Sequence, residues 1–550
     1  VTAAPAPPHS LAPRREPIDP RREPIDPRRE PIGFDESPGG HAGRAVAAAV
    51  SSRLGHLPFA VVLALTAAPN LIFLATHLAS APLAAGAVAL LAAALAGVWR
   101  DLARTTGAPL DRPLLAAALA VGFGLCLLGG QAHLFFANDD WLIRDAVLHD
   151  LVAAPWPVGY LYAGDPTMLR APLGLYLLPA LIGKAAGLYG AHLALLAQNG
   201  LLFGCLFYGV ARAAPSRRQG LGRIAVFVAF SGWDVVGSLL AGDRLIPGIH
   251  LEQWAGDLQF SSHVTQLFWV PNHAASGWIF VSAYWLWRAG ALRATSLAVV
   301  FGLCVFWSPL SMMGALPFLL AAFLADAAGG RLEGGSVAVV GLALLGLAPV
   351  ALYLGADAGR VPHGLQAMTG DFPLRYAFLL LLDIVPALVV LALAPGRGDR
   401  WAGWEIGLVL LLLVLAPLYR LGGADFVMRA SIPALAVLAL RVGAVVPGLE
   451  ARRLAVAVLV LGLGAVTPLY EVIRAVLVPP FAISPCSLLA ASRTPPNNGT
   501  LYHYVARIDA LEGHPAGAIF ARPETMIRRV PQGMCWPDHP AHQEGAGSVF

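Results

Sequence analysis

The chain has 550 residues, 57% of them hydrophobic and 13% charged, with a net charge of +4. A mean hydropathy of +0.66 excludes an ordinary soluble domain. The small basic excess sits in short arginine-rich stretches and gives no nucleic-acid signature. Runs of about 20 apolar residues are each long enough to cross a bilayer, so the composition predicts an all-α polytopic membrane protein.

Residues 1–44 carry a repeat, Pro-Arg-Arg-Glu-Pro-Ile-Asp at 13–19 and again at 20–26, with a shortened copy at 27–32. Proline and mixed charge leave nothing to pack, and this tail is predicted to be disordered. No cleavable signal peptide is evident, and the first apolar run reads as a retained helix. Membrane helices are predicted at 58–78, 81–98, 113–130, 190–211, 221–241, 264–288, 295–309, 311–327, 336–355, 374–394, 404–420, 431–447 and 454–477, about 13 in all. Together they make residues 45–477 a helical bundle. Residues 171–187 look membrane-embedded, but a single crossing there would break the parity.

Loop charge orients these helices. The N-terminal tail, Arg100 to Arg112, Arg212 to Arg223, Arg288 and Arg293, Arg331, Arg397 and Arg400, and Arg452 and Arg453 are all placed in the cytoplasm. The other side then holds 131–170, 242–263, 356–373, 420–430 and a small C-terminal segment, 478–550. Cys486 and Cys535 lie in that segment, 49 positions apart, and can pair if it faces an oxidising compartment. Cys126, Cys205 and Cys304 lie in apolar runs and read as inert core residues.

The first large outside loop opens on Asn138-Asp139-Asp140-Trp141. Adjacent carboxylates beside a bilayer span are costly unless they meet a cation, a donor or a reacting group. Residues 141–151 have helical periodicity and read as an amphipathic helix lying at the interface. One acidic side chain suits the N-cap of such a helix; the second is left for a general base or for a divalent cation such as Mg or Mn. His149 lies on the polar face of the same helix. Segment 242–263 brings Arg244, His250, Glu252 and His263 together, and His273 follows at the Pro271 helix entry; these are candidates for acid/base or acceptor-binding roles. Arg420 and Arg429 flank Asp425 before Ser431-Ile432-Pro433 opens a helix, where arginine and a helix N-terminus suit a phosphate. Asp234, Asp383 and Glu405 fall within or near spans.

Taken together these features resemble the GT-C superfamily of integral-membrane glycosyltransferases. Asp139 and Asp140 match the acidic position of that family's first outside loop. The helix at 141–153 and the following Ala171-Pro172-Leu-Gly-Leu-Tyr176 match its continuation back into the membrane. The resemblance implies a polyprenyl-phosphate sugar donor, an extracytoplasmic glycan, lipid or protein acceptor, and inverting transfer. It implies that Asp139 or Asp140 acts as base or metal ligand, and that Arg429 with Arg244 or Arg420 holds the donor phosphate. It also implies a bacterial inner-membrane location with the N-terminus cytoplasmic and the C-terminus periplasmic. Two other readings remain open: a polysaccharide polymerase or ligase using the later loops, and a multi-pass transporter or lipid flippase, which predicts paired broken helices.

Overall fold

The computed structural model describes residues 55–105, 109–394, 402–494, 501–512, 515–528 and 535–539. The N-terminal repeat and the stretch holding Arg397 and Arg400 lie outside the described residues.

Helices α1 (Leu57–Thr76) and α2 (Ala81–Arg104) each open with a proline in the first turn, where the missing N–H is no loss. Helix α3 (Arg112–Leu128) is capped by Asp111, whose carboxylate accepts the Leu114 N–H at 3.2 Å. After α3 come α4 (Asp140–Ala153), which is buried over most of its length, Asp145 of its expected polar face included, and a hairpin, β1 (Gly159–Tyr162) and β2 (Asp165–Leu169). Helix α5 (Leu177–Arg212) is broken at Gly187, where φ is 77° and ψ 177°. Residues 177–186 therefore form a short arm and do not cross singly. The arm folds against the helix beyond the break, so a Cβ on Gly183 would lie 2.6 Å from that of Ala191.

Two expected spans are interrupted. Residues 221–241 divide into α6 (Arg217–Val228) and α7 (Asp234–Ala241). Residues 264–288 divide into α8 (His263–Trp269) and α9 (Pro271–Arg288), because Pro271 cannot donate across the join. The chain continues through α10 (Ala294–Val305), α11 (Pro309–Ala328), α12 (Gly334–Gly355), β3 (His363–Leu365) and α13 (Phe372–Leu379). A π-helical turn (Leu380–Ile384) joins α13 to α14 (Val385–Ala392). Then follow α15 (Ala402–Leu415), β4 (Tyr419–Leu421), α16 (Asp425–Ala430) and α17 (Ile432–Val445). Helices α18 (Ala451–Gly464) and α19 (Val466–Leu477) meet at 43°. Among the described residues, six helices are long and apolar enough to cross a membrane, or seven if that bent pair is one span.

The loops sort to two ends. At one end Arg217 pairs with Asp111 at 2.6 Å, and Arg293 pairs with both Glu333 (2.9 Å) and Asp101 (3.8 Å). Nearby in sequence to Arg293, Arg288 and Arg441 converge on the buried Glu405. At the other end β3 pairs antiparallel with β4, and Arg420 reaches Asp257 at 3.3 Å. This is the grouping that loop charge predicts.

The C-terminal segment is built into that second end. It supplies α20 (Leu488–Ala491), β5 (Val505–Arg507), α21 (Ile508–Glu512) and β6 (Met526–Ile527), and a four-stranded sheet runs β5-β2-β1-β6. Asp150 of α4, fully buried, accepts the Leu488 N–H at 2.8 Å and the Tyr160 hydroxyl at 2.9 Å. Cys486 and Cys535 form a disulfide with Cα atoms 6.0 Å apart, as their placement in the sequence allowed.

Candidate functional site

The start of α4 divides its labour among three polar residues. Asn138 Oδ1 accepts the Asp140 N–H at 3.2 Å, and its Nδ2 donates to the Phe268 carbonyl at 2.9 Å. Trp141 Nε1 donates to that same carbonyl at 2.9 Å. Capping and anchoring therefore fall to Asn138 and Trp141, and Asp139 makes no side-chain cap. Asp139 instead faces His539 of the C-terminal segment, 3.2 Å away. Asp140 accepts from Arg144, one turn on, at 3.1 Å. The Asp140 side chain is 41% exposed and that of Arg144 only 6%, so a buried guanidinium presents a carboxylate to the loop surface. Burial disfavours the Arg144 cation, but Asp140 and its other neighbours outweigh that and raise its pKa.

A second pair repeats the arrangement. Arg429 pairs with Asp425 across one turn of α16, and both side chains are largely buried. Arg429 thus sits on a short helix of its own, just before α17, where sequence placed it in coil. Tyr504 lies in the field of all four charged groups, Asp140, Arg144, Asp425 and Arg429. It is brought there by the β2–β5 pairing: the Arg170 N–H donates to the Tyr504 carbonyl at 2.6 Å, and the Arg170 guanidinium donates to the Tyr502 carbonyl at 2.8 Å. Burial is the main reason the Tyr504 hydroxyl is pushed above its ordinary pKa. His273, whose Nδ1 lies 2.5 Å from the Ser308 hydroxyl, is within electrostatic reach of Arg144 and Arg429. His503 packs beside Asp425, and a Cβ on Gly422 would meet both, at 2.6 Å and 3.0 Å.

Comparison with family models, with characterised proteins and with solved structures gave no match to this chain. Its chemistry is therefore read from the side chains themselves.

Other candidates from the sequence lie elsewhere. His250 bonds Glu471 through Nδ1 at 2.7 Å, and Trp269 and Arg474 hold the other side of that carboxylate. Glu252 is buried and accepts from Gln259 (2.5 Å), the Ser262 N–H (2.8 Å) and the Thr265 hydroxyl (2.6 Å). These two belong to a separate acidic cluster with Asp234 and Asp383. The Asp383 carboxylate packs on Gly232 from the π-helical turn, and neither of its oxygens has a hydrogen-bond donor. His149 bonds its neighbour Asp150 at 3.0 Å. His263 donates through Nδ1 to the Phe227 carbonyl (2.6 Å) and is ringed by Phe227, Phe230 and Trp278, so it is a core histidine. Arg244 is exposed on the loop after α7, and Arg420 forms an exposed pair with Asp257. Of the three arginines expected to hold a phosphate, Arg429 is the one that acts electrostatically, as Arg144 does, on Tyr504 and His273.

Arg144, Tyr504 and His503 were not singled out by sequence. The first had a signal, since Asp140-x3-Arg144 and Asp425-x3-Arg429 share one spacing. The other two had none, because their placement depends on a strand pairing across more than 300 residues. A cavity of about 420 Å³ opens at the opposite ends of α5, α9 and α17, between Phe59, Tyr208, Arg223, Trp285 and Gly443. Its walls are mostly apolar side chains, and it holds none of the carboxylates described above.

Burial pushes Glu252 up to about 7, with Asp234 and Glu471 adding to the rise and His250 opposing it. The fold therefore favours the neutral acid. The stability this gives is complete below about pH 4.5 and is lost as pH rises to about 7, an effect of about 3 kcal/mol. Thermal unfolding of the protein in detergent is expected to show a declining midpoint across that window. Glu252→Gln should flatten the decline, and an unchanged pH slope in that variant would refute the assignment.

Proposed function

We propose that the chain is a GT-C-like membrane glycosyltransferase. It moves a sugar from a polyprenyl-phosphate donor to an extracytoplasmic glycan or lipid acceptor, in the inner membrane of a bacterium. In this reading the bundle has about 13 crossings, some of them made by the shorter and broken helices, with the N-terminus cytoplasmic and the C-terminus periplasmic.

The observations that support it most are the two Asp-x3-Arg ion pairs, Asp140–Arg144 and Asp425–Arg429, which both act electrostatically on Tyr504 of the disulfide-bearing C-terminal segment. A half-exposed carboxylate bonded to one guanidinium, with a second guanidinium acting, as the first does, on Tyr504 and His273, has the parts that inverting transfer needs. The acceptor hydroxyl attacks the anomeric carbon and passes its proton to Asp140. The bond from that carbon to the phosphate oxygen breaks, and the phosphate leaves with the electron pair. Arg429 and Arg144 neutralise the charge that develops on it. Arg144 takes the part that sequence gave to Arg244 or Arg420. Asp139 and Asp140 each face a protein partner, so charge neutralisation in this reading comes from arginine, and a Mg or Mn ion at the pair is not required.

A transporter reading is favoured by one other observation. The bent α18–α19 pair, the broken α6–α7 pair and the π-helical turn bearing Asp383 surround the acidic cluster of Asp234 and Glu252. Lipid mass spectrometry on a deletion strain separates the two. The transferase reading predicts that a polyprenyl-phosphate sugar accumulates and is cleared by wild type but not by Asp140→Asn at equal membrane level. A normal lipid profile in the deletion strain would remove the transferase reading and leave the acidic cluster as the functional centre.

A further inference from the structure

A third polar group lies beneath α4, apart from both clusters described above. His133 belongs to the turn after α3, Asp145 to the inner face of α4, and His192 to α5 just past the Gly187 break. One nitrogen from each histidine and one Asp145 oxygen all lie within 4.8 Å of one another. The His133 and Asp145 side chains are 4% and 1% exposed, and His192 is 1% exposed.

The hydrogen bonding of this group is incomplete in a particular way. His133 Nδ1 lies 3.0 Å from the Phe481 carbonyl, which can only accept, so the proton of a neutral His133 is on Nδ1. Its Nε2 then presents a lone pair. That lone pair meets a carboxylate oxygen of Asp145 at 2.7 Å, without the alignment of a hydrogen bond. The second Asp145 oxygen and His192 Nε2 have no hydrogen-bond partner either. A carboxylate and two imidazole nitrogens buried this close together need a cation among them, either a proton or a metal ion. Ala132 and His133 both have positive φ, 67° and 56°, which non-glycine residues adopt at a cost. That conformation turns the His133 ring inward.

We propose that His133, Asp145 and His192 bind a divalent transition-metal ion of zinc's ligand class, which ties α4 to the α3–α5 pair. Two imidazoles and one carboxylate suit zinc, cobalt or iron(II) and do not suit magnesium or calcium, which take oxygen ligands. Ligands of one tetrahedral ion stand about 3.4 Å apart at bond lengths near 2.1 Å. Closing the widest separation, up to 4.8 Å, needs side-chain adjustments that sum to about 1.4 Å. The Phe481 carbonyl is the outer partner that fixes the ring nitrogen used. The ion neutralises the Asp145 carboxylate five residues along α4 from Asp140, so it positions the helix that carries the proposed base. The proposal does not depend on the transferase reading.

The full chain, purified in detergent and stripped with chelator, is titrated with cobalt(II) and then challenged with zinc(II). The expected result is one cobalt per chain with visible d–d absorption, displaced by zinc. His192→Gln should weaken binding at least about tenfold, while His149→Gln, one turn along α4 from Asp145 and bonded to Asp150, should leave it unchanged. His192→Cys should restore binding and add a thiolate charge-transfer band, which distinguishes a lost ligand from a lost fold. Substoichiometric uptake by folded wild type, or His192→Gln binding like wild type, would overturn the site and leave His133 and Asp145 as an imidazolium–carboxylate pair.

Discussion

Asp140→Asn is expected to lower the transfer rate by about 100-fold or more, the usual range for loss of a positioned general base. The substitution keeps the side chain's volume and removes its ability to take a proton. Asn138 already holds the helix start through its bond to the Asp140 N–H, so the loss is not that of a helix cap. A side effect has to be separated. Arg144 is 6% exposed and loses its carboxylate partner, and stranding a buried charge destabilises a fold. Asp140 itself is 41% exposed, which lets water compensate for much of that. The unfolding midpoint should therefore move little while the rate collapses. Asp139→Asn loses its contact with His539 and none of the Arg144 pair, so its rate should stay within about tenfold of wild type. Rates are measured in membranes with matched protein levels and a synthetic polyprenyl-phosphate sugar. If Asp140→Asn transfers as fast as Asp139→Asn, Asp140 is not the base.

What the sequence made legible was set by local rules. Arginine-bearing loops sorted the chain into two ends because charge in short loops is a local property, and the ion pairs Arg217–Asp111 and Arg293–Glu333 join those loops. The helix at 140–153 was legible from its periodicity, though not the burial of Asp145 on its polar face, and the Cys486–Cys535 bond from the placement of both cysteines in one polar segment. Pro271 and Asn272 marked a broken helix end where the chain does break at Val270, but the break at 229–233 was missed, since averaging over about 19 residues hides a short interruption. The turn at Gly187 falls in the stretch that reads as re-entrant or differently paired, because a single crossing there breaks the parity. The C-terminal segment reads as polar and featureless until β1 and β2 give it a sheet to join. The same distance problem hid the His133–Asp145–His192 group, whose spacings of 12 and 47 fit no local metal motif. Asp140 and Arg429 were found because each is odd in its own neighbourhood. That both act on Tyr504 depends on tertiary structure that no window contains.

The largest loss of stability is expected from Gly122→Val. Helices α3 and α5 approach through small residues, with Ala118 and Gly122 facing Gly200 and Gly204, each pair four residues apart. A Cβ on Gly122 would lie 2.5 Å from the Gly204 nitrogen, 2.7 Å from its Cα and 2.9 Å from the Gly200 carbonyl oxygen. All three are backbone atoms, so no side chain can rotate aside and the helices must part. Overpacking of this kind costs about 3 kcal/mol or more, and even Gly122→Ala should destabilise. Separation would also strain the bond, 3.0 Å long, that Asn199 of α5 donates to Gln131 in the turn after α3. Gly124 lies two residues along and supplies the control, because a Cβ there meets nothing within 4 Å. Gly124→Ala should be neutral or stabilising by up to about 1 kcal/mol through helix propensity. Thermal unfolding in one detergent compares the variants directly. Equal midpoints for Gly122→Val and Gly124→Ala would mean that the two helices are not held by this seam, and the placement of His192 beneath α4 would lose its support with it.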